Sequence, residues 1–311
     1  MSILNNIVCS AAGGNTGIAD CSLTLKNVVG GFLVPASFEL TEAQLASKDA
    51  ALAAILAAVN NDNPALRIYP LPETVTMTDN SEDVVLQTFG FGAQVPVRDG
   101  KYNLTFQYTK GGNCINNALQ KFNSGNYRYI GFDAAGVLFG TKVGTSLKGI
   151  PLDYFYAAPF KFNDGANVAL FAYRLSFNPA YINSGLGFIS LNVADLMAIN
   201  GLQNIVFSLV APRAAGVFRL RATTGCAGTD LYSIYGDELA DDTNFVVTRL
   251  GNAVTITSVA KDANTGSFLF TLDTTDPDYN AAGPFVVNTA APSVLAGNGV
   301  EGYEGIAVTV A

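Results

Sequence analysis

The alternation of apolar and polar residues changes period several times along this chain, and each change marks an element. Residues 21–27 (CSLTLKN) alternate with period two, as a half-buried strand does, and Gly30, Gly31 and Pro35 then read as breakers. A helix is predicted over 41–60. Thr41 and Gln44 have capping-box spacing, and Glu42 lies in the first turn, where the helix dipole favours an acid. Leu45, Leu52, Ile55, Leu56 and Val59 form one apolar stripe, stopped by Asn60-Asn61-Asp62-Asn63-Pro64. From residue 66 period two returns: 66–69, 74–78, 84–91 and 102–108 read as strands. The last two are expected to pair as a long hairpin, with Arg98-Asp99-Gly100-Lys101 as a tight turn between them.

A second helix is predicted over 114–123 from the spacing of Ile115, Ala118, Leu119 and Phe122, closed by Ser124-Gly125. Strands over 127–132 and 137–140 flank the turn Asp133-Ala134-Ala135-Gly136. Strands over 152–162, 169–177 and 203–210 follow, with a short helix over 193–199 capped by Asn192 before the last. Past Ala222-Thr223-Thr224-Gly225, strands at 231–235, 245–250, 254–259, 267–272, 285–288 and 306–310 recur with the turn spacing of a small sandwich. The fold class expected is mainly β. A β-sandwich core spans 1–222 with flanking helices at 41–60 and 114–123, and a C-terminal immunoglobulin-like β-sandwich spans 223–311.

Composition then narrows the chemistry. The chain has no His, the usual general acid/base near neutral pH and the commonest metal ligand. Ser–His and Cys–His nucleophile systems are therefore excluded, and neither a G-x-S-x-G elbow nor a Walker-type phosphate loop is present. Asp62, Asp99, Asp133, Asp164 and Asp273 fall in turns, where Asp is favoured for its bonds to nearby backbone. The expectation is a non-enzyme with no catalytic residue, no cofactor and no metal site. Asp237, Glu238, Asp241 and Asp242, and separately Asp273, Asp276 and Asp278, offer oxygen ligands for calcium, but neither group has EF-hand spacing and solvated turns are expected.

Cys9, Cys21, Cys114 and Cys226 form no C-x-x-C pair and are expected to be free, mostly buried thiols, since a Cys9–Cys21 bridge would need an oxidising compartment. No run approaches the roughly 20 apolar residues of a membrane span. Mean hydropathy is nonetheless +0.28, which suggests apolar surface covered between subunits or a well-filled pair of β-domains. The net charge of −8 opposes tight nucleic-acid binding, and Arg213, Arg219 and Arg221 read as a solvated strand face. The first residues carry no basic n-region, so synthesis in the cytosol is expected, and the sequon Asn103-Leu104-Thr105 gains no weight.

The hairpin over 84–108, the helix over 114–123 and the strand–turn–strand YRYIGFDAAGVLFG over 127–140 follow in an order that resembles the tail-tube (major tail) proteins of tailed phages. The resemblance spans roughly residues 65–222; the helix over 41–60 departs from it. It implies a virion structural protein, assembled in the host cytoplasm, that self-assembles into stacked hexameric rings by pairing sheet edges. The implied partners are copies of itself, other virion proteins, and DNA that passes an acidic lumen without specific binding; no membrane is involved. A second class of function is a capsid decoration, fibre or glycan-binding adhesin module. Its aromatics would come from Tyr154-Phe155-Tyr156 or Phe171, Tyr173 and Phe177, with Tyr232 and Tyr235 as contacts.

Overall fold

The computed structural model describes residues 2–4, 25–123, 125–160, 171–177, 185–214, 216–226, 228–279 and 283–310. Strands hold 46% of the described residues and helices 18%, so the fold is mainly β as expected. It divides into two units, residues 1–59 with 63–200 and residues 60–62 with 201–311.

The first unit contains β1 (Val28–Pro35), β2 (Glu39–Leu40), α1 (Lys48–Val59), β3 (Tyr69–Pro70), β4 (Thr76–Asp79), β5 (Val85–Thr88), β6 (Gln94–Arg98), β7 (Tyr102–Tyr108), α2 (Gly112–Gln120), β8 (Tyr127–Asp133), β9 (Val137–Val143), β10 (Ser146–Lys148), β11 (Ile150–Ala157), β12 (Phe171–Phe177), β13 (Leu186–Ser190) and a short helix, Val193–Ala198. Eleven strands join in one sheet, whose main path runs β2-β10-β9-β8-β11-β12-β7-β4. The sheet bends at β11: Ile150 and Pro151 pair with Tyr129 and Arg128 of β8, and from Leu152 onward the strand pairs with β12, with an irregularity at 152–154. Pro151 gives no amide to the ladder and a bulge kinks a strand, so one strand can serve two layers.

Between the two halves lies an aromatic core of Phe106, Tyr108, Tyr129, Phe155, Tyr173 and Phe177. Tyr129 of one half meets Phe106 and Phe177 of the other at 6.2 and 5.8 Å between ring centroids. Each buried phenol reaches a partner: Tyr108 donates to Asn116 at 2.9 Å, Tyr129 donates to the Gly30 carbonyl at 3.1 Å, and Tyr173 meets the Thr74 hydroxyl at 3.4 Å. Burial pushes the Tyr108 phenol up to about 12 and holds those of Tyr129 and Tyr173 well above the usual range.

The opposite face of β1, β8 and β9 carries a second core, covered by α1. Strand β1 is therefore buried on both faces, which explains its continuous apolar run. Gly30 and Gly31 are not breakers but spacers inside that strand. A Cβ at Gly30 would stand 2.5 Å from the Phe132 ring, and one at Gly31 would stand 2.4 Å from the Tyr129 ring and 2.7 Å from the Ile130 carbonyl. Of the strand expected over 21–27, residues 21–24 lie outside the described residues, and 25–27 are not strand.

The Thr41 amide does donate to the Gln44 side chain at 2.9 Å, but the box opens only a 3₁₀ turn, Gln44–Ala46. α1 starts later, where extended Ser47 accepts from the Ala50 amide at 3.1 Å. Its buried stripe is Ala51, Ile55 and Val59, one face at i, i+4 and i+8, while Leu56 is exposed. The other short elements lie close to where the pattern put them. Asp133 is fully buried in its turn, accepting from the amides of Lys26, Ala135 and Val137 at 2.8–2.9 Å. Asn192 caps the helix Val193–Ala198 by accepting from the Ala194 amide at 3.1 Å.

The second unit begins at Gly201, not at the 222/223 boundary expected, because β14 (Gln203–Ala214) and β15 (Val217–Thr224) pair onward with its own strands. It continues with β16 (Phe245–Arg249), β17 (Asn252–Val254), β18 (Ile256–Asp262), β19 (Ser267–Leu272), β20 (Phe285–Thr289), β21 (Tyr303–Ile306) and β22 (Val308–Val310). A five-stranded sheet, β18-β19-β15-β14-β21, and a four-stranded sheet, β17-β16-β20-β22, enclose one core around Phe218, Phe245, Phe268, Phe270 and Phe285. This is a β-sandwich, as expected of the C-terminal part. The strand expected at 231–235 is instead a helix, Tyr232–Leu239, because Tyr232, Tyr235 and Leu239 turn toward the core at helical spacing.

Carboxylates tie the loops of this sandwich. The Arg219 guanidinium bonds Asp262 at 2.7 Å and holds its carboxyl below the usual range. Amides of Thr255 and Asp278 do the same for Asp276, and the Thr243 hydroxyl and amide for Asp241. Groups with depressed folded pKa stabilise above their unfolded value of about 3.9 and lose that contribution as pH falls through the folded value. The urea midpoint of the second unit is expected to fall as pH drops below about 4. Asp262→Asn should flatten that fall; an unchanged pH profile would remove Asp262 from the account.

Candidate assembly surface

Two strands stand outside all three cores. Among the described residues β5 and β6 pair only with each other, and every residue of both is exposed. They are the outer half of one long hairpin running from Thr76 to Tyr108. At its inner half β4 pairs with β7, from Thr76 opposite Gln107 to Asp79 opposite Leu104. The ladder continues through Asn80 N–H to Asn103 O at 2.8 Å and Glu82 N–H to Lys101 O at 2.9 Å, then through Val85 opposite Arg98. A long hairpin was expected here, but with 84–91 against 102–108. The tip lies earlier, at residues 89–92, and Arg98-Asp99-Gly100-Lys101 is a length of leg instead of a turn. Gly100 is required there because a Cβ would lie 1.9 Å from the Glu82 carbonyl oxygen.

Local sequence builds the tip. Gly92 N–H donates to Phe89 O at 2.8 Å and Phe89 N–H to Ala93 O at 2.9 Å, enclosing a three-residue loop. Gly92 has φ +86°, the left-handed position that such a loop reserves for glycine. Phe89 and Phe91 stack at 5.8 Å and 7° between planes, and Phe91 is 83% exposed. Val84, Val85, Leu86, Val95 and Val97 are exposed as well. Residues 84–97 contain no charged side chain, while Glu82, Asp83, Arg98, Asp99 and Lys101 cluster at the root.

The two outer edges of this arm differ. Hydrogen-bond direction alternates along a strand. With Phe89 and Ala93 bonded across the hairpin, Gln87 and Val95 are the next inward pair, and Pro96 turns toward the outside. The edge of β6 therefore lacks a donor at Pro96, whereas β5 presents the backbone of Leu86 and Thr88 unobstructed.

The residues weighed for chemistry lie elsewhere and do not converge. Asp273 accepts from Thr275, Asp278 pairs with Arg249 at 2.7 Å, and Asp237 pairs with Lys261 at 3.0 Å. Among the described residues no three His, Cys, Asp or Glu side chains gather to hold a metal. Arg213 lies over the Phe285 ring at 4.4 Å and Arg221 donates to the Thr265 carbonyl at 3.0 Å, so the three arginines are spread over internal contacts. Tyr232 and Tyr235 are both half-buried against the core of the second unit, Tyr232 with its ring 5.7 Å from Phe268 and Tyr235 with its ring 5.4 Å from Tyr303. Phe171, Tyr173 and Phe177 are core, while Tyr154 and Tyr156 are exposed.

Cys114 and Cys226 are both disulfide-bonded, which overturns the expectation of free thiols; Cys9 and Cys21, like Asp164, lie outside the described residues. No described helix is long and apolar enough to cross a membrane. No family model, curated protein or solved structure matches the chain.

Proposed function

We propose that this chain is a non-enzymatic, self-assembling structural subunit of a virus particle, in its most specific form the ring-building subunit of a phage tail tube. The apolar arm of β5 and β6 is the observation that carries the reading. An isolated two-stranded hairpin is marginal in water, and this one buries neither of its faces. Its occupant is a second copy. Bodies that each carry −8 repel, and the uncharged stretch 84–97 is where two of them can meet without like-charge cost. The open edge of β5 lets each arm accept one strand from a neighbouring copy, and such a contact, made with a different surface of the neighbour, is head-to-tail and closes into rings. Disulfide-bonded Cys114 and Cys226 suit a particle that works outside the cell. In the tube form, an acidic wall lets DNA slide without binding, with other virion proteins at the tube ends.

Negative-stain microscopy with mass measurement over a concentration series tests this. Rings or tubes that grow with concentration support it. A stable monomer at high concentration overturns it, and a discrete trimer that never grows reassigns the chain to the fibre and adhesin class.

A further inference from the structure

Beside the root of the arm, the outward face of the β11-β12-β7-β4 segment forms a groove of about 270 Å³ lined by Asn80, Asn103, Leu104, Thr105, Tyr154 and Arg174. The register explains why these side chains meet. Tyr156 pairs with Arg174, Arg174 with Thr105, and Thr105 with Thr78, which makes one row across four strands. Tyr154 and Asn103 both pair with Ser176 and start the next row. Directly paired residues share a face of the sheet, so the two rows look the same way.

The groove is polar, and its side chains are not spent on one another. Asn80 donates to the Thr105 hydroxyl at 3.0 Å, which leaves its amide oxygen open. Among the described residues the Arg174 guanidinium, the Tyr154 hydroxyl and the Asn103 side-chain amide have no hydrogen-bond or ion-pair partner. Arg174 is the one charged side chain of the lining, an unpaired cation on a chain of net charge −8. The Tyr154 ring is 45% exposed beside it.

We propose that this groove binds an acidic saccharide, with one carboxylate on Arg174, hydroxyls on the amides of Asn80 and Asn103 and the Thr105 hydroxyl, and a sugar face against the Tyr154 ring. A guanidinium meets a carboxylate with two parallel bonds, and amides supply both donor and acceptor to hydroxyls. A lining this polar gains nothing from a fully apolar ligand. A phosphate group would call for more than one cation, and the lining holds one. The proposal goes beyond the assembly reading, because groove and arm are separate surfaces.

Calorimetric titration of the full chain with oligogalacturonate, with cellotetraose as the uncharged saccharide and inorganic phosphate as the bare anion, tests it. Oligogalacturonate is expected to bind saturably. Arg174→Lys, which keeps charge but loses the fork, should weaken it at least roughly tenfold, as should Tyr154→Ala. Both side chains are exposed, so thermal unfolding should not change in either variant. No saturable binding at millimolar oligogalacturonate, or equal binding of cellotetraose or of phosphate, overturns the proposal. A protein that assembles but does not bind oligogalacturonate loses the groove and keeps the arm; the reverse result separates them the other way.

Discussion

Replacing residues 84–99 by a two-residue Asn-Gly turn is expected to leave the protein monomeric at concentrations where the intact chain assembles. The cut falls just beyond the Glu82–Lys101 backbone bond, so the shortened ladder closes on a turn suited to a hairpin. The inner half of the hairpin stays paired through β4 and β7, and no core residue is touched. Thermal stability should therefore hold while assembly is lost. Full burial of a large apolar side chain is worth about 1.5–3 kcal/mol, and seven such side chains are exposed over 84–97. Phe89→Ser with Phe91→Ser should cost about 3 kcal/mol of association, roughly a hundredfold. Sedimentation velocity reads both variants. Assembly of the shortened chain at wild-type concentrations would sink the role given to the arm. Binding of the intact monomer to phosphatidylcholine vesicles without self-association would hand the arm to lipid instead.

The largest effect on stability is expected at Tyr173. Its ring is fully buried, stacked at 5.1 Å on Phe106 and 5.8 Å on Phe155, with Tyr108 at 6.0 Å. Tyr173→Ala removes the centre of the aromatic core that joins the two halves of the sheet, at a cost of about 4 kcal/mol. In a unit of this size that lowers the melting temperature by roughly 10 °C. Tyr173→Phe keeps the ring and loses only a long contact to Thr74, so it should cost less than about 1 kcal/mol. Calorimetry of the two variants checks the contrast. Equal losses would mean that the hydroxyl, not the ring packing, holds the site. The raised phenol pKa values set an alkaline limit too. Groups raised above about 10 stabilise the fold below that pH, and the contribution is lost as pH climbs toward and beyond the folded value of about 12 at Tyr108.

Much of the local structure was legible along the chain. The turn at Asp133–Gly136, the cap at Asn192 and the strands Tyr102–Tyr108 and Ser267–Leu272 follow from short-range chemistry, which a sequence displays directly. Where expectation and structure part, a distant neighbour is the reason. Gly30 and Gly31 look like breakers until the rings of Phe132 and Tyr129 occupy the space their side chains would fill. The segment at 231–235 has apolar content that suits strand or helix, and the core of the second sandwich selects helix.

The candidate surfaces divide the same way. The absence of His is a property of composition, so it excludes Ser–His and Cys–His nucleophile systems before any fold is known. The neutral, apolar stretch 84–97 is equally plain in the sequence, but apolar strands are usually core, and only the pairing partners show that this one is not. The groove of Tyr154, Arg174, Asn103 and Asn80 draws on three strands and the residue that follows a fourth, spread over nearly a hundred positions, and no spacing rule announces it. By itself the sequence determined a mainly β chain of two units, a capped helix or two, and a chemistry without histidine, because period, turns and composition are local quantities. Tertiary structure decided where the units divide, which apolar strand stays uncovered and which polar side chains share a face, because register is set by packing between segments distant in the chain.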